Sequence, residues 1–463
     1  MTPTDAPPVV VIGGGITGLT TAHRLAERGI AVQVLEAAPA LGGKVRTGSF
    51  AGLDHIEEGP DAYLARVPHA VNLVHELGLT VTNPRTGHAA VFHGRLHRIP
   101  EGLVLGVPTD IGRLAASDLL TWRGKARAAI EPILPRTDAG DSIGALIRGR
   151  FGVQVHERLV DPLVGSIYAA DTDRFSLEMV PQLADLATSR SLLFAARRRA
   201  KAAPTNGPVF ATPTNGLGTL IDALARSITA AGGRIDTDAA VTGIERDGDG
   251  YRVQMANGKE YKATAIVVTS PARHSARLFD RLSPAAGQGL AVMDHASVAM
   301  AILRVDGRAL GKFSELSGYL VPKPDQKHVT AVSFASNKWA HWQPGDGSRI
   351  LRVSLGRDGA DETPVRDWSD EKVIDAVLHD LHAHTGASVQ PVESKVVRWI
   401  ESFPQYRPGH MQRLGAIERA LAHDAPGVFL AGASHRGIGL PACVAQAEAA
   451  AAAIAERLGV LRH

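Results

Sequence analysis

Four β-branched residues in a row, Val9-Val10-Val11-Ile12, open the readable pattern of the chain. An unbroken apolar run of this length predicts a strand buried on both faces of a parallel sheet. Gly13-Gly14-Gly15-Ile16-Thr17-Gly18 follows, then helical apolar spacing over 19–28, with Gly29 where a C-terminal cap is expected. A second short apolar run, 32–35, ends at Glu36. In this order the parts predict a strand–helix–strand unit.

The pattern then changes. From about 100 to 200 strand signals are sparse, and helical spacing over 114–132, 142–151, 155–163 and 176–200 predicts a helical insertion. From about 209 mixed patterning returns. A helix over 217–231 ends at Gly232-Gly233, and strands are expected around Ile235, Val241, Ile244, 251–255 and 265–269, with 247–250 as a hairpin turn. Further strands at 297–303, 319–321, 328–334 and 349–355 are interrupted by a helix over 370–385. A buried strand at 428–431, a glycine-rich turn and a helix over 443–458 close the pattern, and no internal repeat is present.

The glycine turn carries the first chemistry. A G-x-G-x-x-G motif alone is weak, but Gly13, Gly15 and Gly18 lie between a predicted strand and a predicted helix. Gly13 permits the tight turn, Gly15 lets main chain approach a pyrophosphate, and Gly18 lets helix and strand pack closely. The helix N-terminus offers unpaired N–H groups to phosphate. Glu36 is placed to bond both ribose hydroxyls, and its charge disfavours a 2′-phosphate, so a dinucleotide other than NADP is expected.

Composition narrows the class. The 463 residues are 44% hydrophobic and 21% charged, an ordinary globular balance that predicts two or three domains. A formal charge of +3 without an aromatic-interleaved basic stripe does not suggest nucleic acid; it suits an anionic small substrate. The single cysteine, Cys443, excludes a disulfide framework, a cysteine-ligated iron–sulfur cluster and a cysteine-rich zinc site, and suits a reducing cytoplasm. No metal site is expected. No signal-peptide pattern and no apolar stretch of spanning length are present, the longest candidate being the Ala-rich 447–454. The basic run 197–201 is read as a solvated helix face, with a membrane-surface or substrate-access patch as the alternative.

Three further segments decide the cofactor. Leu35-Glu36-Ala37 runs on to Leu41-Gly42-Gly43-Lys44-Val45-Arg46-Thr47, and Glu57-Glu58-Gly59-Pro60 follows. Near the C-terminus stand Val428-Phe429-Leu430-Ala431-Gly432-Ala433-Ser434 and Gly437-Ile438-Gly439-Leu440-Pro441-Ala442-Cys443. Together these segments resemble the flavin amine oxidase superfamily, which implies FAD rather than NAD, a second glycine pair beside the diphosphate, and a C-terminal turn closing over the flavin. Within it the chain resembles, over nearly its full length, the protoporphyrinogen/coproporphyrinogen III oxidase family. The distinguishing segments are 432–441, 398–410, Asp161-Pro162-Leu163 to Ile167-Tyr168-Ala169, 317–322 and 351–357.

The resemblance implies an α/β fold: a split Rossmann-type FAD-binding domain (1–85, 205–288 and 405–463), an inserted helical domain (100–204) and an inserted α+β substrate domain (86–99 and 289–404). Its FAD contacts fall on Gly13, Gly14, Gly15, Ile16, Thr17, Gly18, Glu36, Ala37, Gly43, Lys44, Gly59, Pro60, Asp61, Ala62, Val241, Trp399, Gly432, Ile438, Gly439 and Leu440. The substrate candidates are Ser166, Tyr168, Ser317, Arg352 and Arg357, with Arg66 as a further cation for substrate propionates. The family usually has glycine where Ser166 stands, and Asp61 matches its bacterial coproporphyrin-type members.

The implied reaction is a six-electron, oxygen-using oxidation of coproporphyrinogen III to coproporphyrin III in haem synthesis, with hydrogen peroxide released. Hydride would leave a ring carbon and a proton a pyrrole nitrogen. Aromatisation drives the reaction, so the flavin itself carries the chemistry and no catalytic side chain is assigned. A downstream ferrochelatase is the implied partner, and the expected location is cytoplasmic. The alternatives are protoporphyrinogen IX oxidation, an amine oxidase or desaturase on the same scaffold, a flavin-binding porphyrin carrier and an NAD-dependent dehydrogenase. The last is disfavoured by Gly42-Gly43, and an amine oxidase by the scarcity of tyrosine and tryptophan (6 and 5).

Overall fold

The computed structural model describes residues 6–85, 87–135, 140–202 and 207–460. Val9–Ile12, buried at all four positions, is the centre of a five-stranded parallel sheet in the order Arg234–Asp236, Val32–Leu35, Val9–Ile12, Ala265–Val268, Val428–Leu430. Alternate residues serve opposite layers, as strand pleating requires. Val9, Val11, Val32 and Val34 pack against helices Ile16–Ala26, Gly218–Ala230 and Leu440–Arg457. Val10, Ile12, Leu35 and Ile266 pack beneath an antiparallel ribbon, Val241–Asp247, Gly250–Met255 and Glu260–Ala263, and helix His410–Asp424. This is a Rossmann-type α/β fold.

A second sheet has seven strands in the order Pro391–Pro404, His295–Asp306, Ser348–Leu355, Val329–Ser333, Leu316–Leu320, His88–His93, Arg95–Arg98. Only the Leu316–Leu320 and His88–His93 pair is parallel. Helix Asp370–Thr385, with the expected bounds, covers one face. On the other face a hairpin, Thr47–Phe50 with Leu53–Glu57, packs against Trp339 and Trp342. The pattern reading did not anticipate this hairpin or the 14-residue strand Pro391–Pro404.

The helical region is cut finer than its periodicity predicts. The single helix expected over 114–132 is two, Ile111–Ala116 and Trp122–Ala129, because Ser117 turns to extended backbone and the Thr121 hydroxyl caps a new start at Gly124 N. The helix expected over 176–200 becomes Pro181–Ala187 and Leu192–Ala202. The stretch expected at 155–163 holds one wide turn, His156–Val160, just ahead of Pro162, which has no N–H to give its preceding turn. The final helix starts at Leu440, three residues earlier than expected, with Pro441 in its first turn.

Two buried carboxylates hold these pieces together. Glu131 is 0% exposed and faces Arg150, 3% exposed, whose Nε donates to its Oε1 at 2.9 Å. Ser191 Oγ donates to Glu131 Oε2 at 2.6 Å and Leu192 N to Oε1 at 2.8 Å, so Glu131 also caps helix Leu192–Ala202. Glu57 does the same for helix Gly218–Ala230: Leu217 N donates to its Oε1 at 2.5 Å and Thr47 Oγ1 to its Oε2 at 2.7 Å. Burial pushes the Glu57 carboxyl up to about 7 against these bonds.

Glu131→Ala leaves the Arg150 guanidinium buried without its carboxylate and should lower stability by about 3–5 kcal/mol in urea unfolding. Glu57 has a folded-state pKa above its unfolded value of 4.5, so the native state holds its proton more tightly. Its contribution is full below pH 4.5 and falls as pH rises to about 7. Wild-type protein should therefore lose roughly 3 kcal/mol relative to Glu57→Gln across that window. Parallel pH dependences in the two proteins would refute it.

Candidate functional site

At the C-terminal edge of the parallel sheet, three segments from distant parts of the chain meet. The order of the strands places the turn after Val9–Ile12, the turn after Ala265–Val268 and the turn after Val428–Leu430 side by side. This is where open α/β sheets bind nucleotides. Gly13 has φ +109°, and Thr269 Oγ1 donates to its carbonyl at 3.1 Å. A Cβ on Gly18 would lie 1.9 Å from Gly13 O, so no side chain fits there. Gly432, at φ +122°, would place a Cβ 3.2 Å from Thr269 O, and its N–H donates to Gln446 Oε1 at 3.2 Å.

The second glycine pair docks on the first. Gly15 and Gly42 form a parallel bridge, and Gly42 N donates to Gly14 O at 2.9 Å. Gly43 has φ +59° and sits on the exposed side of the bridge. Glu36 lies at the rim: its Oε2 accepts from Gly14 N at 2.6 Å and its Oε1 from Ala38 N at 2.8 Å. Ala37 is exposed beside it, and the bond from Ala239 N to Glu36 O (2.8 Å) carries the chain to Val241 within the same rim.

The donor set fits an anionic dinucleotide. Helix Ile16–Ala26 has no side-chain cap and no acid in its first turn, and the same holds for helix Leu440–Arg457, whose cap residue is Gly439. Both N-termini leave main-chain N–H groups free for phosphate. Thr17 and Leu440 are buried at these two helix starts, and Ile438 is half-buried in the turn before the second. Lys44 joins them with no carboxylate in ion-pair range among the described residues, and burial pulls its ammonium pKa down. The nearby Cys443 thiol is pushed up by burial. A half-buried ammonium with no protein anion is costly unless a ligand supplies the charge. His295 also borders Lys44. Its Nδ1 donates to Met293 O at 3.1 Å, so Nε2 accepts from Ser434 Oγ at 3.2 Å. Burial, then the Lys44 charge, lowers His295 to about 4, which keeps the ring neutral.

The strand-and-turn 57–62 forms the next wall. A Cβ on Gly59 would stand 2.1 Å from Lys44 O, so this turn lies directly on the second glycine segment. Trp399 Nε1 donates to Glu58 O at 2.9 Å, and the Arg46 guanidinium lies 4.7 Å above the Trp399 ring. Glu58 is held by Arg46 and Lys395. Asp61 accepts from Lys338 Nζ at 2.8 Å and Trp339 Nε1 at 3.1 Å, and pairs with Arg352 at 3.3 Å. Burial alone would raise the Asp61 carboxyl, but Lys338 and Arg352 hold it well below the usual carboxylate range. Pro60 and Ala62 flank this anchor, half-buried.

The substrate candidates do not form one set. Arg352 is not a free cation: it pairs with Asp61, donates to Gly59 O and lies 5.7 Å over Trp342. Arg357 is likewise committed, bonding both Asp161 oxygens at 3.1 Å and Ala170 O at 2.5 Å. Each guanidinium thus faces an internal carboxylate, Asp61 being shared between Arg352 and Lys338. Ser317 Oγ donates to His88 O at 3.1 Å, within the second sheet. Arg66 is exposed and, among the described residues, donates to Gly207 O at 3.4 Å. Ser166 is exposed and bonds its own helix, so a side chain is accommodated where glycine is usual. Tyr168 is half-buried, with its ring 4.8 Å from Phe175, and burial raises its phenol.

Two partners escaped sequence reading. Lys338 and Trp339 secure Asp61 from 277 and 278 positions away, a separation no local pattern signals. Gln405, visible only as part of a family segment, donates to Tyr168 O at 3.0 Å and Phe403 O at 3.1 Å. It steadies a turn in which Ala169 takes φ +48°.

Comparison with known proteins agrees with this geometry. Residues 16–455 match the model of the flavin containing amine oxidoreductase family. The chain is 34% identical to the coproporphyrinogen III oxidase of Bacillus subtilis, over 96% of each chain. It is 30% identical to that of Staphylococcus aureus, over 96% of this chain and 98% of the other. A solved protein from Exiguobacterium sp. 255-15, provisionally described as a protoporphyrinogen oxidase, superposes with a TM-score of 0.86 at 30% identity, covering 98% and 99% of the two chains. A cyclohexylamine oxidase from Brevibacterium oxydans, 18% identical with a TM-score of 0.70 over 98% and 99%, shares the fold. The glycine cradle, the two uncapped helix starts and these full-length matches make the chain a member of the flavin containing amine oxidoreductase family, an FAD-dependent oxidoreductase related to the bacterial coproporphyrinogen III oxidases.

Proposed function

We propose that this enzyme oxidises coproporphyrinogen III to coproporphyrin III in haem synthesis, with molecular oxygen as the final acceptor and hydrogen peroxide as the second product. The observation that carries the reading is identity of 30–34% with bacterial proteins of that name along essentially the whole chain. FAD, when bound, supplies hydride acceptance. The residues present account for its retention: main-chain donors at 13–18 and 438–440 with Lys44 would hold the diphosphate. Glu36, Ala37 and Val241 would meet the adenosine, and Gly59 to Ala62, Trp399 and Gly432 would border the flavin ring.

The protein's own task is then to bind, orient and exclude water. The turn at 166–171 is fixed to the second sheet by Arg357–Asp161, by Asp358 N to Ala169 O (2.8 Å) and by Gln405. On this reading Arg352 and Arg357 shape the chamber walls, and Tyr168 faces the substrate. A neutral His295 adds no charge beside the cofactor. No helix of the described residues is long and apolar enough to cross a membrane. The enzyme is read as cytoplasmic, handing its product to a ferrochelatase, with the exposed basic run Arg197-Arg198-Arg199 facing solvent or a membrane surface. Protoporphyrinogen IX is the second reading, favoured by the Exiguobacterium neighbour and by 26% identity to a chloroplast protoporphyrinogen oxidase of rice.

Aerobic turnover followed by porphyrin fluorescence, with both porphyrinogens side by side, should show faster oxidation of the tetracarboxylate and peroxide release. Faster turnover of protoporphyrinogen would select the second reading, and no gain above autoxidation with either would end both. Lys44→Ala should weaken FAD binding by about tenfold to a hundredfold, the loss of one charge-assisted bond, while Lys44→Arg retains it. Reconstitution of apoprotein with FAD measures this directly.

A further inference from the structure

Strand His295–Asp306 leads away from the dinucleotide site. It begins at His295, bonded to Ser434, and its twelve residues carry it roughly 40 Å to the opposite end of the sheet. There Gly307 enters the wall of a cleft of about 500 Å³. This volume is within the range of small-ligand sites. None of the residues placed at the cofactor or substrate walls lines it.

The cleft has a marked donor character. Arg85 and Arg349 both line it, and neither has a carboxylate in ion-pair range among the described residues. The Arg349 guanidinium is fixed through one nitrogen, Nη1, which donates to Ser348 O at 3.0 Å and Gly347 O at 3.3 Å. A Cβ on Gly307 would stand 2.3 Å from Gly347 O, so the floor brings two main-chain segments together under that side chain. His88 lines the cleft as well. Arg98 Nη2 donates to its Nδ1 at 2.8 Å, which leaves Nε2 as the ring's donor. Glu315 is the acid of the lining, which leaves the two guanidiniums in excess by one charge.

The walls are also fixed in advance. Asn337 Nδ2 donates to Phe313 O at 3.1 Å and Leu316 O at 3.0 Å, tying two sides of the cleft. Arg85 N donates to Lys338 O at 2.8 Å, and Lys338 is itself anchored on Asp61. Preformed walls spare a ligand the entropy of ordering them. Two guanidiniums with no carboxylate in ion-pair range match carboxylate and phosphate oxyanions, which accept charge-assisted hydrogen bonds from them.

We infer that this cleft is a second binding site, for a small molecule bearing phosphate or carboxylate oxyanions, separate from the flavin centre and independent of which porphyrinogen is oxidised. The test is isothermal titration of the FAD-loaded protein at constant ionic strength, with chloride as the balancing anion. The probes are inorganic pyrophosphate, ATP and citrate; bound FAD keeps ATP out of the dinucleotide site. Saturable one-to-one binding of at least one probe is expected, weakened at least about tenfold in Arg85→Gln and in Arg349→Gln. Binding confined to pyrophosphate and ATP assigns a phosphate ligand, and binding confined to citrate a polycarboxylate. Glu315→Gln removes the opposing charge, should tighten binding, and serves even where an arginine variant fails to fold. Absence of saturable binding by all three probes, affinity unchanged in both arginine variants, or affinity unimproved in Glu315→Gln would overturn the assignment.

Discussion

At Gly18 a methyl group would meet the Gly13 carbonyl oxygen at 1.9 Å, and at Gly59 one would meet Lys44 O at 2.1 Å. The structure depends on such approaches of main chain to main chain. With no side chain between them, the first glycine turn, the second glycine pair and the strand-and-turn 57–62 stack into one continuous wall. That stacking leaves donors pointing outward instead of capped. A helix start capped by its own serine or aspartate would satisfy those N–H groups internally and have less to offer a phosphate. Both helices at this site lack such a cap, and Lys44 stands beside them without a protein anion. An anionic ligand completes what the polypeptide leaves open.

The insertions solve a different problem. A helical unit and a seven-stranded sheet must each be held at a fixed distance from that wall, and buried charge does this where apolar packing would permit sliding. Asp161 with Arg357 joins the helical turn to the end of strand Ser348–Leu355. Asp61 with Lys338 and Arg352 joins the turn 57–62 to the second sheet. Ion pairs of this kind add little net stability, but leaving either partner alone is strongly unfavourable. They therefore select one arrangement of the parts more than they strengthen it. In this seam each of the two guanidiniums faces a carboxylate from another segment.

Legibility in the sequence followed the range of the interactions. Val9–Ile12, Val32–Leu35 and the helix Asp370–Thr385 were readable with their bounds because burial and capping there act over a few residues. The glycine cradle was readable because each glycine answers a local steric demand. The helical region was legible in kind but not in its breaks, since Thr121, Ser117 and Pro162 act through single capping and turn bonds inside an otherwise continuous period. The strand Pro391–Pro404 hid because much of it is only partly buried, so its apolar alternation is diluted. Least legible were pairings such as Asp61 with Lys338 or Asp161 with Arg357. Charge type is visible in a sequence, but whether a guanidinium faces solvent or a carboxylate two hundred residues away is decided only by the fold.

The parallel sheet has one further consequence, for the newly made chain. Its central strand is at residues 9–12 and its edge strand at 428–430, so the nucleotide layer is begun before both intervening units and finished after them. At ordinary translation rates of about 5–20 residues per second, roughly 20 to 80 s separate the two. From its own synthesis until then strand Ala265–Val268 has an unpaired edge, and helix Ile16–Ala26 lacks the cover of Leu440–Arg457. Vectorial synthesis thus presents both intervening units, each with its own core, before that sheet edge can be closed. Helix Leu440–Arg457, with its uncapped start, is thus the final part of the nucleotide layer to emerge.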